Sequence, residues 1–216
     1  MVNIAVFGAS GMIGSRIVDE ALFRGHSVTA LARDRSRLPH TEGERMTART
    51  ADVLDPGDVT AAARGQDVLV SAVGGGDGAG HRKLVEPSAR TVVEALRHLE
   101  DRPRFIMVGG AGSLETAIGK QVWDAPGLPE DVLAIMHAHG DALEFLRSVG
   151  DVSWTDLSPP AVIEPGERTG TYRTDTHRLV ADAAGNSRIS AEDYAAALVD
   201  EIESPRHLGG RFTVGE

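Results

Sequence analysis

The sequence predicts an α/β fold, a doubly wound parallel sheet of about seven strands flanked by helices. Short apolar segments alternate with stretches of helical length along nearly the whole chain, a pattern typical of parallel strands joined by right-handed crossover helices. The segments 68–70 and 105–108 are apolar throughout, as strands are when helices cover both faces of a sheet. The first strand also runs directly into a glycine turn and a helix.

The elements follow in order from apolar runs bounded by glycine, proline and polar residues. Strands are predicted at residues 3–7, 27–32, 46–51, 67–73, 104–108, 152–157 and 211–214. Helices are predicted at residues 13–24, 56–64, 82–99 and 130–148. Asp55 is the expected N-cap of the second helix, with Pro56 at its first position. Ser190, with an acidic residue three positions later, predicts the start of one more helix.

Length and composition restrict the kind of protein. The 216 residues suit one domain over 1–216, with 158–216 as a small C-terminal appendage packed on it. The net charge of −10 argues against a nucleic-acid partner. The absence of cysteine excludes disulfides and thiolate-bound metals and is compatible with a reducing cytoplasm. No segment approaches the length of a membrane span, so we expect a cytoplasmic protein with no membrane partner.

The glycine turn predicts a dinucleotide site. Gly8, Gly11 and Gly14 form a G-x-x-G-x-x-G pattern that follows a predicted strand and opens a predicted helix. In a Rossmann-like fold this turn lets the backbone approach a pyrophosphate, and the helix offers unpaired N–H groups to it. Ser10, Met12 and Ile13 would supply backbone or hydroxyl contacts. The alternative is a tight turn with a structural role only.

The end of the second predicted strand indicates which dinucleotide binds. Arg33 follows the last glycine by about 20 residues, the spacing at which an acid binds the ribose of NAD and an arginine accommodates the 2′-phosphate of NADP. Arg35 and Arg37 follow closely, so we expect NADP(H) to be preferred over NAD(H), although Asp34 leaves some tolerance for NAD. The alternative is a solvated basic turn.

The ends of the third and fourth predicted strands should complete the cofactor site. An acid at the first of these edges can accept a hydrogen bond from the adenine, and small residues at the second permit close approach of the pyrophosphate. A flexible loop is the alternative for the glycines at 75 and 76. The predicted contacts are Asp52, Val53, Ala72, Val73 and Gly74.

The chain resembles the atypical short-chain dehydrogenase/reductase superfamily, in its small NAD(P)H-binding group of NmrA-like proteins and biliverdin/flavin reductases. The resemblance covers nearly the whole chain. It rests on the segments G-A-S-G-M-I-G, A-R-D-R-S-R-L, A-D-V-L-D, F-I-M-V-G-G-A-G-S, S-W-T-D-L-S-P-P and S-R-I-S-A-E-D-Y-A-A-A-L-V-D-E. It implies a single NAD(P)-binding Rossmann domain.

The resemblance implies a catalytic serine after the fifth strand, which Ser113 matches, and a Tyr-x-x-x-Lys pair on the next helix, which is missing here. His137 is a candidate proton donor, because Asp141 lies four residues on along the same helix face; the alternative is a surface histidine. A metal site is disfavoured because His137 and His139 point to different faces. Ser158 and Pro159 would border the nicotinamide. Trp123 is either a stacking surface for a flat substrate or a core or interface residue.

The sequence leaves two functions open. The first is an NADPH-dependent reductase of a small conjugated electron acceptor such as a flavin, a quinone or a related carbonyl, since these need little help from an enzyme-bound acid. The second is a non-catalytic NADP(H)-binding redox sensor of the NmrA-like type. A sugar-nucleotide epimerase is disfavoured because the Tyr-x-x-x-Lys pair is missing. A homodimer is an expectation for either.

Overall fold

The computed structural model describes residues 1–38 and 43–216. Its strands are β1 (Asn3–Phe7), β2 (Ser27–Ala32), β3 (Met46–Thr50), β4 (Val68–Ser71), β5 (Arg104–Val108), β6 (Trp154–Ser158), β7 (Val162–Glu164), β8 (Arg173–Asp175), β9 (Arg188–Ser190) and β10 (Gly210–Gly215). Its α-helices are α1 (Met12–Phe23), α2 (Pro56–Ala63), α3 (Gly78–Arg97), α4 (Glu130–Arg147) and α5 (Ala191–Glu203).

The main sheet has eight strands in the order β3-β2-β1-β4-β5-β6-β10-β8. All neighbours pair in parallel except β8, which is antiparallel to β10. This confirms the Rossmann-like doubly wound sheet, and the strand order reverses between β1 and β4. The antiparallel edge strand was not predicted, nor was the separate parallel pair of β7 and β9.

Alternate residues of each strand face opposite helical layers, as strand geometry requires. Ile4 and Val6 of β1 belong to a core shared with α1 and α5. Ala5 and Phe7 belong to the second core, which α2, α3 and α4 cover. The sheet is therefore buried on both faces, which explains its continuously apolar strands.

Capping residues set the starts of three helices. Asp55 accepts a hydrogen bond from the N–H of Asp58 at 2.9 Å and precedes Pro56, as predicted. Ser190 likewise caps α5. Helix α3 begins earlier than predicted, because Asp77 accepts from the N–H of Gly80 at 2.6 Å and so extends the helix through glycines that disfavour it intrinsically.

The segment 158–216 contributes to the main sheet and to one helical layer. Strand β10 lies between β6 and β8, and α5 packs in the same core as α1. Arg168 of the loop between β7 and β8 donates two hydrogen bonds, each of 2.7 Å, to Glu20 of α1. Within the described residues, none of the helices has the length and apolarity to cross a membrane.

Candidate functional site

A cavity of about 300 Å³ opens at the carboxyl ends of β1, β2, β3 and β4. It lies where the strand order reverses, the usual ligand position in open α/β sheets. Its volume is at the lower end of the range of small-molecule sites. The cavity is lined by Phe7, Gly8, Ser10, Gly11, Leu31, Ala32, Arg33, Asp34, Arg37, Ala51, Asp52, Val53, Ala72, Val73, Gly74 and Leu84.

The first and last glycines of the turn are required for different close contacts. Gly8 has φ of +78°, a conformation that favours glycine, and a Cβ there would lie 2.5 Å from the carbonyl oxygen of Ala72. Gly14 is buried, and a Cβ there would lie 2.1 Å from the carbonyl oxygen of Gly8. Gly8 thus allows the turn to approach β4, and Gly14 lets α1 pack closely on β1.

Helix α1 directs its N-terminus at this cavity. Gly11 is its N-cap, and no side chain in the described part of the chain caps it. The first N–H groups of a helix have no partner within the helix and carry a partial positive charge. Together with the glycine cradle, these free donors fit the pyrophosphate of a dinucleotide. Met12 and Ile13 lie outside the cavity lining, so their predicted contacts would come from the backbone.

Basic residues lie at the cavity end formed by β2. Arg33 and Arg37 are exposed and line the cavity. Asp34 also lines it, but its Oδ1 accepts hydrogen bonds from the N–H and Oγ of Ser36 at 3.0 and 2.7 Å. These bonds lower the pKa of Asp34 and hold its carboxylate in the local turn.

The residues predicted at the ends of β3 and β4 come together in this cavity. Asp52, Val53, Ala72, Val73 and Gly74 all line it. The Oδ1 atom of Asp52 accepts from the N–H of Leu54 at 3.0 Å. The residues that the sequence predicts at the ends of these parallel strands therefore line one cavity.

Ser113 and Ser158 occupy the other half of the sheet edge, outside the cavity lining. The Oγ atom of Ser113 accepts a hydrogen bond from Nη1 of Arg211 at 2.8 Å. Ser158 is fully buried and its hydroxyl donates to Asp156 at 2.9 Å, so that hydroxyl is already engaged. Pro159 is half-buried beside it. Sequence reasoning missed Arg211 and Asp156, because only strand pairing brings them there.

Asp156 is a buried carboxyl group with an unpartnered oxygen. Its Oδ2 has no hydrogen-bond partner within the described residues. Burial raises its pKa to about 6, against the hydrogen bond from Ser158 and the charges of Arg211 and Arg147. A carboxylic acid in this position is neutral under mildly acidic conditions.

His137 is exposed, and its ring lies 4.8 Å from that of Trp123. It forms no hydrogen bond or ion pair with Asp141 among the described residues, so the expected pairing on α4 is absent. Trp123 itself packs against Gly112 and Gly140 and donates from Nε1 to Gln121 at 2.7 Å.

A different histidine pair lies nearer the cofactor cavity. His81 and His139 have ring centroids 5.6 Å apart. Nε2 of His81 adjoins Gly74 of the cavity, and His139 packs against Gly110. Sequence reasoning missed this pair, since its members belong to different helices. Within the described residues there is no group of three or more side chains that could hold a metal ion.

A family model described as NAD(P)H-binding matches residues 8–205. The chain belongs to this NAD(P)H-binding family. The match begins at the glycine turn and includes every residue of the cavity lining except Phe7. It confirms the NAD(P)H-binding family that the sequence resemblance implies.

Several solved structures are similar to the chain over its full length. A Burkholderia pseudomallei protein described as a "putative exported protein" is 45% identical, with a TM-score of 0.88 and 100% of both chains covered. A "putative epimerase" of Bacteroides thetaiotaomicron is 37% identical, with a TM-score of 0.88 and 100% and 97% coverage. A "putative NADH-flavin reductase" of Streptococcus pneumoniae TIGR4 is 30% identical, with a TM-score of 0.85 and 100% of both chains covered.

Proposed function

We propose that this member of the NAD(P)H-binding family is an NADPH-dependent reductase of a small, flat, conjugated acceptor such as a flavin or a quinone. The cavity carries the proposal: a glycine turn and an open helix N-terminus lie at its centre, and Arg33 and Arg37 lie at one end. A guanidinium fits the 2′-phosphate that distinguishes NADP from NAD. Of the two acids in the described lining, Asp34 accepts hydrogen bonds from Ser36 and Asp52 accepts one from the N–H of Leu54.

Each part of the cavity has a defined task in this proposal. The N-terminus of α1 and the turn at Gly8 and Gly11 would hold the pyrophosphate. Arg33 and Arg37 would hold the phosphorylated ribose, and Gly74 would leave room for the opposite end of the dinucleotide. When bound, the dihydronicotinamide supplies a hydride, and the acceptor gains two electrons with that hydride and one proton.

The two tyrosines of the chain favour an acceptor that needs no strong acid. Tyr172 is bonded to Asp200, and Tyr194 is fully buried and donates to the carbonyl of Leu157 at 2.5 Å. Neither phenol is available as the proton donor of a dehydrogenase. A flavin or quinone takes its proton from solvent readily once hydride transfer is favourable. The description of the Streptococcus relative as a flavin reductase supports this acceptor class.

The proposal is tested by steady-state oxidation of NADPH and NADH with riboflavin, FMN, menadione and a dye as acceptors. We expect saturable turnover with at least one of them and a lower KM for NADPH than for NADH. Saturable NADPH binding with no turnover on any acceptor would contradict the reductase and favour the redox-sensor alternative.

The epimerase description of the Bacteroides relative gives a second outcome to check. An epimerase of the superfamily that the chain resembles would need a Tyr-x-x-x-Lys pair, and this chain lacks that pair. We therefore expect no epimerised sugar when a sugar nucleotide is incubated with the protein and its dinucleotide. An epimerised product, detected by NMR, would replace the reductase proposal.

A further inference from the structure

Two histidines extend the site beyond the end of the cavity opposite Arg33. His81 lies in the first turns of α3, directly after β4, and His139 lies on α4 against the loop that follows β5. A Cβ on Gly74 would lie 3.2 Å from Nε2 of His81. Because β4 and β5 form the half of the sheet beyond the glycine turn, this is where the nicotinamide and the acceptor would meet.

The tautomer of His81 is set by its own helix. Its Nδ1 lies 2.8 Å from the carbonyl oxygen of Asp77. A carbonyl oxygen only accepts hydrogen bonds, so Nδ1 of His81 carries the hydrogen. Nε2 of the neutral ring is therefore an acceptor, and it is the atom next to Gly74.

His139 carries its hydrogen on the other ring nitrogen, Nε2. Its Nδ1 is buried and has no hydrogen-bond partner within the described residues. An orphaned buried N–H is rarer than an orphaned buried acceptor, which places the hydrogen on Nε2. Burial, with a smaller contribution from the charge of His81, lowers the pKa of His139 to about 4. At neutral pH it is an uncharged donor.

We infer that His81 and His139 together bind an amide edge, a carbonyl and an N–H group side by side in one plane. Nε2 of His139 donates to the carbonyl, and the N–H donates to Nε2 of His81. Their ring centroids are 5.6 Å apart with planes inclined at 53°, and no hydrogen bond joins the two rings directly in the described structure. One flat amide group can therefore satisfy both.

This inference rests on the proposed function, because it requires a dinucleotide in the cavity. Two groups in the reaction carry such an edge: the carboxamide of the nicotinamide and the ring imide of a flavin. A quinone carries carbonyls but no N–H group, so it satisfies only His139. A polar group left unpaired in this way discriminates strongly between substrates. If the acceptor supplies the amide edge that the two histidines bind, flavins should be preferred over quinones as substrates.

The test compares His81→Phe and His139→Phe with His98→Phe. His98 is an exposed histidine near the opposite end of α3 and serves as the matched control. His81→Gln and His139→Gln retain a polar side chain and should recover part of any loss. Circular dichroism and thermal melting establish that every variant is folded.

The first arm measures binding by calorimetry, without turnover. It uses NADP⁺ and its 3-acetylpyridine analogue, which keeps the carbonyl and lacks the N–H group. If the carboxamide is the source, His81→Phe weakens NADP⁺ by roughly tenfold and leaves the analogue unchanged, whereas His139→Phe weakens both.

The second arm measures turnover with riboflavin and 3-methylriboflavin, which lacks the imide N–H. If the flavin is the source, His81→Phe raises KM for riboflavin by roughly tenfold and has no effect on the methylated compound. The inference is overturned if both Phe variants match His98→Phe in both arms. If the wild type turns over no acceptor, the proposed function fails, and the binding arm alone decides the role of the histidines.

Discussion

Arg33 and Arg37 are the side chains expected to distinguish the two dinucleotides. Both are exposed at the β2 end of the cavity, and they are the only cationic side chains among the described residues that line it. Replacement of Arg33 by Ala should weaken NADPH by about tenfold or more and change NADH little, since a charge-assisted bond contributes about 1.5–3 kcal/mol. Calorimetric titration with both dinucleotides measures the ratio.

Arg64→Ala is the matched control for this measurement, because Arg64 is exposed at the end of α2 and does not line the cavity. It should leave both affinities unchanged. An Arg33→Ala protein with the wild-type ratio of NADPH to NADH affinity would remove Arg33 from 2′-phosphate recognition.

The sequence predicts the positions of some residues of the site but not of others. The cavity lining was largely predictable, because glycine spacing and the ends of parallel strands carry geometric rules. Arg211 and the histidine pair were not. Arg211 reaches Ser113 through a bond between residues 98 positions apart, and His81 meets His139 only because α3 packs on α4. No local pattern records either contact.

At the scale of elements, the packing of α1 on β1 determines the form of the dinucleotide site. Gly14→Ala would place a Cβ 2.1 Å from the carbonyl oxygen of Gly8, so α1 must shift away from the turn. We expect lower thermal stability and a loss of NADPH affinity of at least tenfold, because displacement moves the N–H groups at the helix start.

Gly150→Ala provides the control, since a Cβ there meets no atom within 4 Å. It should bind NADPH as the wild type does. Both variants are compared by differential scanning calorimetry and by NADPH titration. Wild-type affinity in Gly14→Ala would show that the helix start does not contact the pyrophosphate.

Strand boundaries were predictable where a polar residue, glycine or proline stands directly beside the apolar run. The predictions for β1, β2 and β5 match the structure at both ends, because apolar runs flanked by polar or glycine residues delimit buried strands. The three-residue strands β7, β8 and β9 were missed. They are too short to show periodicity, and they form through pairing with residues distant in sequence.

At the scale of the whole molecule, Asp156 and His139 give the free energy of unfolding opposite pH dependences. The pKa of Asp156 rises from 3.8 to about 6 on folding, so the folded state binds more protons and stability falls as pH rises through this interval. The pKa of His139 falls from 6.5 to about 4, so stability rises with pH through that interval.

Asp156→Asn should remove the first contribution alone. The variant should gain stability relative to the wild type as pH rises from about 4 to about 6, reaching roughly 3 kcal/mol, and then stay level. Urea unfolding at several pH values measures the difference. A difference that does not vary with pH would mean that Asp156 titrates normally in the folded protein.

The position of β10 also has a consequence for synthesis. This strand follows β8 in the sequence, yet it lies between β6 and β8 in the sheet. During translation β8 therefore leaves the ribosome before β10. In the described structure, β10 is the only strand of the main sheet that pairs with β8. The first five strands can associate during translation, but the sheet edge closes only after residues 210–215 emerge. Nascent chains stalled before that point would expose the edge of β6 to other chains.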